Sequence, residues 1–344
     1  MGREPLNDRS RSTRRKALLL GGTGAMGVYL APQLADMGYQ VRVVSLDDAA
    51  SAHPRISNER ADGKDVGYLK ELLAEKFDAI VDFLLYSTEE FRERHELLLQ
   101  NTGHYIFLSS YRVYGGKVPI TENCPRLLDS SKDRDFLATE DYSLFKARQE
   151  DILQNSKHGN WTIVRPAITY SKRRFQLVTL EAPVAVARAL KGKPVVLPRD
   201  ALSVQATMSW AGDVAGLMSR LLFNPRALRE CFTLATAEHN TWGRVAEYYR
   251  EIIGLQYVAA GTEDYLKIVG SSPAARYQLA YDRLFDREDD NSKVLRVTGV
   301  KQEDFMPLRS GLKKELSALP RDAAWPDASA VWERMDAYLR QHGN

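Results

Sequence analysis

The chain has 344 residues, 44% of them hydrophobic and 27% charged, with a formal net charge of +3. This is soluble globular composition, long enough for a sizeable core and two domains. The small charge does not call for nucleic acid, and no apolar run approaches the roughly 20 residues of a membrane span or resembles a signal-peptide core.

Residues 1–15 gather part of the basic excess (Arg3, Arg9, Arg11, Arg14, Arg15) and are expected to form a disordered, solvated arm. Lys16 to Leu20 reads as a strand that breaks into Gly21-Gly22-Thr23-Gly24-Ala25-Met26-Gly27. An amphipathic helix follows, with Leu30, Ala31 and Leu34 on one side and Gly38 past its end. A second strand spans Gln40 to Ser45. Strand, glycine turn, helix and strand form the βαβ unit of a dinucleotide-binding, Rossmann-type fold. The alternation continues with a strand at Ile56 to Ala61, a helix at Val66 to Lys76 and a buried strand at Ala79 to Leu85. After a helix from Glu89 to Gln100 comes a strand from Tyr105 to Ser109, and Trp161 to Pro166 is a sixth strand stopped by proline. Such alternation means a doubly wound parallel sheet, so residues 16–170 are expected to be the dinucleotide domain.

Beyond Pro166 the alternation fades. Helical stretches near 178–190, 211–223, 241–253 and 327–341 are separated by turns and short strands such as Cys231 to Ala235. Residues 171–344 therefore read as a smaller mixed domain, mainly for substrate, with segments returning to the first. Cys124 and Cys231 are the only cysteines and lack metal spacing, and the histidines are scattered. These features suggest a reducing, cytoplasmic setting and no metal.

The glycine spacing carries its own chemistry. The first glycine permits the tight turn, the second lets backbone approach a pyrophosphate, and the third lets helix and strand pack closely. Thr23, Ala25 and Met26 complete the turn, and the helix N-terminus offers free N–H groups to phosphate. At the ribose-reading end of the second strand stand Ser45, Leu46, Asp47 and Asp48, with no arginine directly after them. The carboxylates, Asp47 first, lean toward NAD and the serine leans away, so the cofactor is written NAD(P), with NAD slightly favoured. Asp62 is placed to approach the adenine. Leu84 and Tyr86 end the fourth strand.

Tyr142 and Lys146 are four apart, on one helix face, roughly 5–6 Å apart at Cβ. A tyrosine general acid/base needs such a neighbour, because an ammonium beside it favours the phenolate. Ser110, at the end of the fifth strand, is expected to hold the substrate oxygen that Tyr142 protonates.

With these residues in view the chain resembles the extended short-chain dehydrogenase/reductase family, the NAD-dependent epimerase/dehydratase group. The resemblance rests on Gly21/Gly24/Gly27, on Ser109-Ser110 with Val113-Tyr114-Gly115, and on Tyr142/Lys146. It extends to Arg165-Pro166-Ala167-Ile168-Thr169-Tyr170, where Ser171 replaces the family's glycine, and more weakly to Trp210 to Ala215, Asp290 to Lys293, Gly299 and Gly311-Leu312. It implies Tyr142 as acid/base, Lys146 on the nicotinamide ribose, Ser110 as the catalytic hydroxyl, Pro166 near the nicotinamide, and Leu84 and Tyr86 along the cofactor. Family members that dehydrate sugars carry Asp-Glu directly after the catalytic hydroxyl. Here Tyr111 and Arg112 stand there, which leaves epimerisation or keto reduction of a nucleotide sugar. Arg173 and Arg174 are placed to clamp a diphosphate, and Tyr86, Tyr111, Arg112 and Arg283 are further substrate candidates. The resemblance also suggests a homodimer through the helices around 88–101 and 140–155, using Leu97, Leu98, Leu144 and Ile152. Two other readings stay open: a cofactor-sensing or RNA-associated protein without chemistry, and a reductase of a non-sugar carbonyl compound.

Overall fold

Seven short segments, six of them largely buried and the edge strand Ile56–Arg60 half-exposed, assemble into one parallel sheet in the computed structural model. The model describes residues 15–320 and 323–342; the expected basic arm lies, apart from Arg15, outside them. The strands are β1 (Lys16–Leu20), β2 (Gln40–Ser45), β3 (Ile56–Arg60), β4 (Phe77–Asp82), β5 (Thr102–Leu108), β6 (Trp161–Pro166) and β7 (Glu230–Leu234). Their order is β7-β6-β5-β4-β1-β2-β3, and every neighbouring pair is parallel. The fold is α/β and Rossmann-like, with the order reversing between β1 and β4, where a crevice opens at the carboxyl ends of the strands.

Helices cover both faces. Helix α1 (Gly27–Asp36) and the Ala211–Leu221 helix share one core with the inner residues of β1, β2 and β4. On the other face, α2 (Val66–Leu73), α3 (Thr88–Gln100) and α4 (Tyr142–Gln154) pack on Leu18, Leu20, Ile80 and Phe107. Capping fixes where the chain enters the last two. Ser87 and Glu90 form a reciprocal capping box on α3, and Asp141 accepts the Ser143 N–H at 2.9 Å on α4.

The segment Cys231 to Ala235, expected among short strands of the second half, is largely β7, the outermost strand of the main sheet. The remaining strands of the second half form small sheets. Val195–Pro198 pairs parallel with Tyr257–Ala260, while Gln205–Trp210 lies between Ile168–Tyr170 and His239–Thr241. These sheets and the Ser329–His342 helix bury a separate core around Tyr170, Trp242 and Met335. The expected dimer residues lie on the chain's own cores: Leu98 and Leu144 are fully buried, and Leu97 and Ile152 pack beside Leu98. Among the described residues no helix is long and apolar enough to cross a membrane, and no cluster of three His, Cys, Asp or Glu could hold a metal.

Candidate active site

The glycine turn works through two contacts. Gly21 has φ +72°, the left-handed region, and its N–H donates to the Val44 carbonyl at 2.8 Å, tying the turn to β2. At Gly27 a Cβ would lie 2.2 Å from the Gly22 carbonyl oxygen, so only glycine lets α1 start this close to β1. No side chain caps the N-terminus of α1, where the Val28 N–H donates to the Gly24 carbonyl at 3.2 Å and the Tyr29 N–H to the Met26 carbonyl at 3.1 Å. A Cβ on Gly24 would meet nothing nearer than the Gly21 oxygen at 3.6 Å. A positive dipole end without a side-chain cap and open space above Gly24 fit the diphosphate of a nicotinamide dinucleotide.

Next to the turn, the Thr23 hydroxyl donates to Asp47 Oδ2 at 2.6 Å, and the Ser45 hydroxyl donates to the Asp47 carbonyl at 3.3 Å. Asp62 accepts the Lys64 N–H at 2.9 Å. Leu84 lies against the turn, its Cδ2 3.1 Å from where a Gly21 Cβ would stand. Tyr86 is packed in the core beneath, 1% exposed, with its ring 5.9 Å from that of Phe91. Burial and the neighbouring Asp82 push its hydroxyl well above the ordinary range.

A cleft of about 480 Å³ runs from the turn toward the second half of the chain. Gly21, Gly24, Ala25 and Met26 line one end, Ser110, Tyr142 and Pro166 the middle, and Tyr111, Arg112, Arg174 and Arg283 the other. The sequence-predicted residues therefore separate. Gly27 and Thr23 lie behind the turn, as does Arg173, which faces a second cavity. Ser45, Asp47, Asp62, Leu84, Tyr86 and Lys146 do not line the cleft.

Ser110 accepts the Arg112 N–H at 3.2 Å, capping the single turn Tyr111–Val113 that ends β5. Tyr142 opens α4, its ring held edge-on against Phe145 at 5.3 Å and under the Arg112 guanidinium at 5.0 Å. Arg112 stands 3.7 Å from Asp141 and 3.5 Å from Asp282, and its Nε has no hydrogen-bond partner. Arg283 is buried and donates to the Val178 carbonyl at 2.7 Å, to the Tyr111 hydroxyl at 3.1 Å and to Gln176 at 3.2 Å.

Lys146 departs from the expected arrangement. It is fully buried, with Nζ donating to the Leu108 carbonyl at 2.7 Å and lying 4.7 Å from the Phe107 ring centre. Burial lowers its pKa to about 8, opposed by the Asp82 and Glu150 charges. One turn further along α4, Glu150 accepts the Ser109 hydroxyl at 2.5 Å and receives both forks of Arg165 at 2.8 and 2.7 Å. Tyr142, Lys146 and Glu150 thus share one helix face. The two buried members pin α4 to the β5 end that carries Ser110.

The sequence reading does not reach Asp82, Glu150 or Lys172, nor the polar cleft residues Gln176, Glu181 and Gln278, and it reaches Thr169 only as one residue of the Arg-Pro segment. The Thr169 hydroxyl is buried without a partner and lines the cleft. Only its place in the Arg-Pro segment could have marked it.

Comparison with known proteins bears on the fold and the family. A curated relative, the chloroplast stem-loop binding protein of 41 kDa b from Arabidopsis thaliana, is 27% identical over 253 residues, 69% of this chain. The aligned stretch covers 63% of that relative's length. Among solved structures, the epimerase Mth375 of Methanothermobacter thermautotrophicus superposes with a TM-score of 0.66 at 15% identity, covering 96% of this chain and 95% of that one. UDP-glucuronic acid 4-epimerase from Bacillus cereus, solved with UDP-glucuronic acid and NAD, gives 0.65 at 15% identity over 88% and 98%. Residues 17–232 match the family described as NAD dependent epimerase/dehydratase, and the chain belongs to that family.

Proposed function

We propose that the chain is an NAD(P)-dependent epimerase or keto-reductase acting at a carbinol or ketone carbon of a nucleotide sugar. The carrying observation is the shared cleft. Ser110 and Tyr142 face the same space as the glycine turn, and three arginines stand at its far end. A nicotinamide dinucleotide bound at the turn supplies the hydride acceptor or donor.

The chain's own residues handle the proton. Tyr142, as phenolate, takes the proton of the substrate hydroxyl in oxidation and returns it in reduction, while Ser110 holds the same oxygen. Lys146 acts here by position. Its bond to the Leu108 carbonyl fixes α4 two residues before Ser110, so the two hydroxyls keep their spacing. Elimination of water lacks its acid–base pair, since Tyr111 and Arg112 stand where the carboxylates would be. Arg112 and Arg174 suit the diphosphate of a nucleotide sugar, the class bound by the Bacillus cereus neighbour, while Arg283 is held by Val178, Tyr111, Gln176 and Asp282.

A second reading has its own support. Lys146 is fully buried with its ammonium on the Leu108 carbonyl, and the curated relative is named for stem-loop binding. A chain without chemistry that binds structured RNA fits both facts. A panel of UDP-hexoses and UDP-hexuronic acids with NAD(P)⁺, run beside an RNA stem-loop gel shift, separates the two. Dinucleotide-dependent turnover lost in Tyr142→Phe supports the enzyme. RNA binding with no turnover on any sugar or carbonyl substrate supports the alternative, and turnover on non-sugar carbonyls alone moves the substrate class.

A further inference from the structure

Behind the glycine turn, on the side away from the catalytic cleft, lies a second cavity of about 450 Å³. Its walls come from the turn and the first half of α1, from β2 and residues 49–53 after it, from β3, and from Lys172 with Arg173. A closed turn aims the two cations. The Ser171 N–H donates to the Arg174 carbonyl at 2.8 Å, the Arg174 N–H donates back to Ser171 at 3.0 Å, and the Ser171 hydroxyl accepts the Arg173 N–H at 3.0 Å. Lys172 and Arg173 occupy the tip. Lys172 Nζ lies 5.8 Å from the Tyr29 ring centre, on the first turn of α1.

Arg174, next in sequence, faces Glu181 at 3.7 Å, whereas neither Lys172 nor Arg173 has an ion-pair partner among the described residues. Asp47 accepts the Thr23 hydroxyl and does not line the cavity, and Asp36 stands 3.4 Å from His53 Nε2. Two uncommitted cations in a concave site suit a phosphomonoester, which takes a guanidinium fork and an ammonium together. The position names the phosphate. In this fold the end of the second strand faces the 2′ position of the adenosine ribose, and residues 49–53 follow that strand after Leu46, Asp47 and Asp48.

We infer that Lys172 and Arg173 form the 2′-phosphate site of NADP, so that the chain binds NADP in preference to NAD. This rests on the dinucleotide reading above and reverses the lean that Asp47 alone suggested. The selecting charges come from the loop after β6, where no motif centred on the second strand would find them.

Isothermal titration of the full chain with NADP⁺, NAD⁺, 2′-AMP, 5′-AMP and inorganic phosphate tests the assignment. NADP⁺ is expected to bind at least tenfold tighter than NAD⁺, and 2′-AMP tighter than 5′-AMP. Arg173→Ala and Lys172→Ala should each weaken NADP⁺ roughly 10- to 100-fold, the range for a lost hydrogen bond to a charged group, and leave NAD⁺ unchanged. Equal or tighter NAD⁺ binding, or variants that weaken both dinucleotides alike, overturns the 2′-phosphate site and leaves the dinucleotide reading standing. Inorganic phosphate bound through Arg173 with no discrimination between dinucleotides overturns it in favour of a free-anion site. If neither dinucleotide binds, the reading it rests on falls with it.

Discussion

Tyr142 is the residue on which the proposed chemistry turns, and Tyr142→Phe removes only its oxygen. Turnover should fall about 10²–10⁴-fold, the usual contribution of a general acid/base, with dinucleotide affinity by titration unchanged. Near-normal turnover in this variant would remove Tyr142 from the mechanism. Glu150 tests the support beneath it. The carboxylate is fully buried and faces Arg165 at 2.7 Å and Arg126 at 3.3 Å. Glu150→Gln leaves Arg165 buried with its charge uncompensated, so a loss of about 3–5 kcal/mol is expected in urea unfolding. A loss below about 1 kcal/mol would mean that water reaches the arginine.

At the scale of elements, β5 carries a pH-sensitive contact away from the cleft. The Phe223 N–H donates to His104 Nδ1 at 2.8 Å, so Nε2 bears the proton and donates to Thr162 Oγ1 at 2.8 Å. Burial lowers the His104 pKa from 6.5 to about 4. Between those values the unfolded chain binds more protons than the folded one. The neutral imidazole's advantage is therefore intact above pH 6.5 and is lost as pH falls toward 4, about 3 kcal/mol in all. Asp213 and Asp289, both raised to about 6 by burial, act in the opposite sense, so the measurement is a comparison. Between pH 7 and 4.5 the urea midpoint of the wild type should fall further than that of His104→Asn; parallel profiles would exclude His104 as the cause.

The elements were legible because their signals are local. Apolar runs, glycine spacing and the 142/146 interval read directly as strands, turn and helix face. Side-chain direction was not local. Lys146 has the expected spacing, yet the Leu108 carbonyl takes its ammonium, and no pattern in the sequence reports that partner. Consecutive Arg173 and Arg174 read as one clamp, whereas the tight turn at Ser171 sends them to opposite sides of the glycine turn. The role of Glu150 appears only once β5, β6 and α4 are brought together.

Across the whole molecule, the C-terminal helix closes the second core. Arg188, with no exposed surface, meets Asp336 of that helix at 2.5 Å, and Lys193 meets the same carboxylate at 2.8 Å. Removing residues 323–344 strips Met335 from the core and leaves a buried guanidinium unpaired, so the truncated chain should be insoluble or strongly destabilised. Asp336→Asn keeps the packing and gives a measurable version, with an expected loss of about 3 kcal/mol in urea unfolding. An unchanged midpoint would show that Arg188 finds compensation from the carbonyls of Pro194 and Trp332, to which it also donates.

The seventh strand of the sheet arrives late. A ribosome delivers residues 171–229, which build much of the opposite side of the cleft, before Glu230–Leu234 emerges to pair with β6. Until then the six-residue edge of β6, buried throughout in the finished molecule, stays open to any passing strand. The parallel sheet is thus not a module that folds first and waits for its neighbour. Chain synthesis carries it through an aggregation-exposed interval that a slow ribosome lengthens and a strand-shielding chaperone covers.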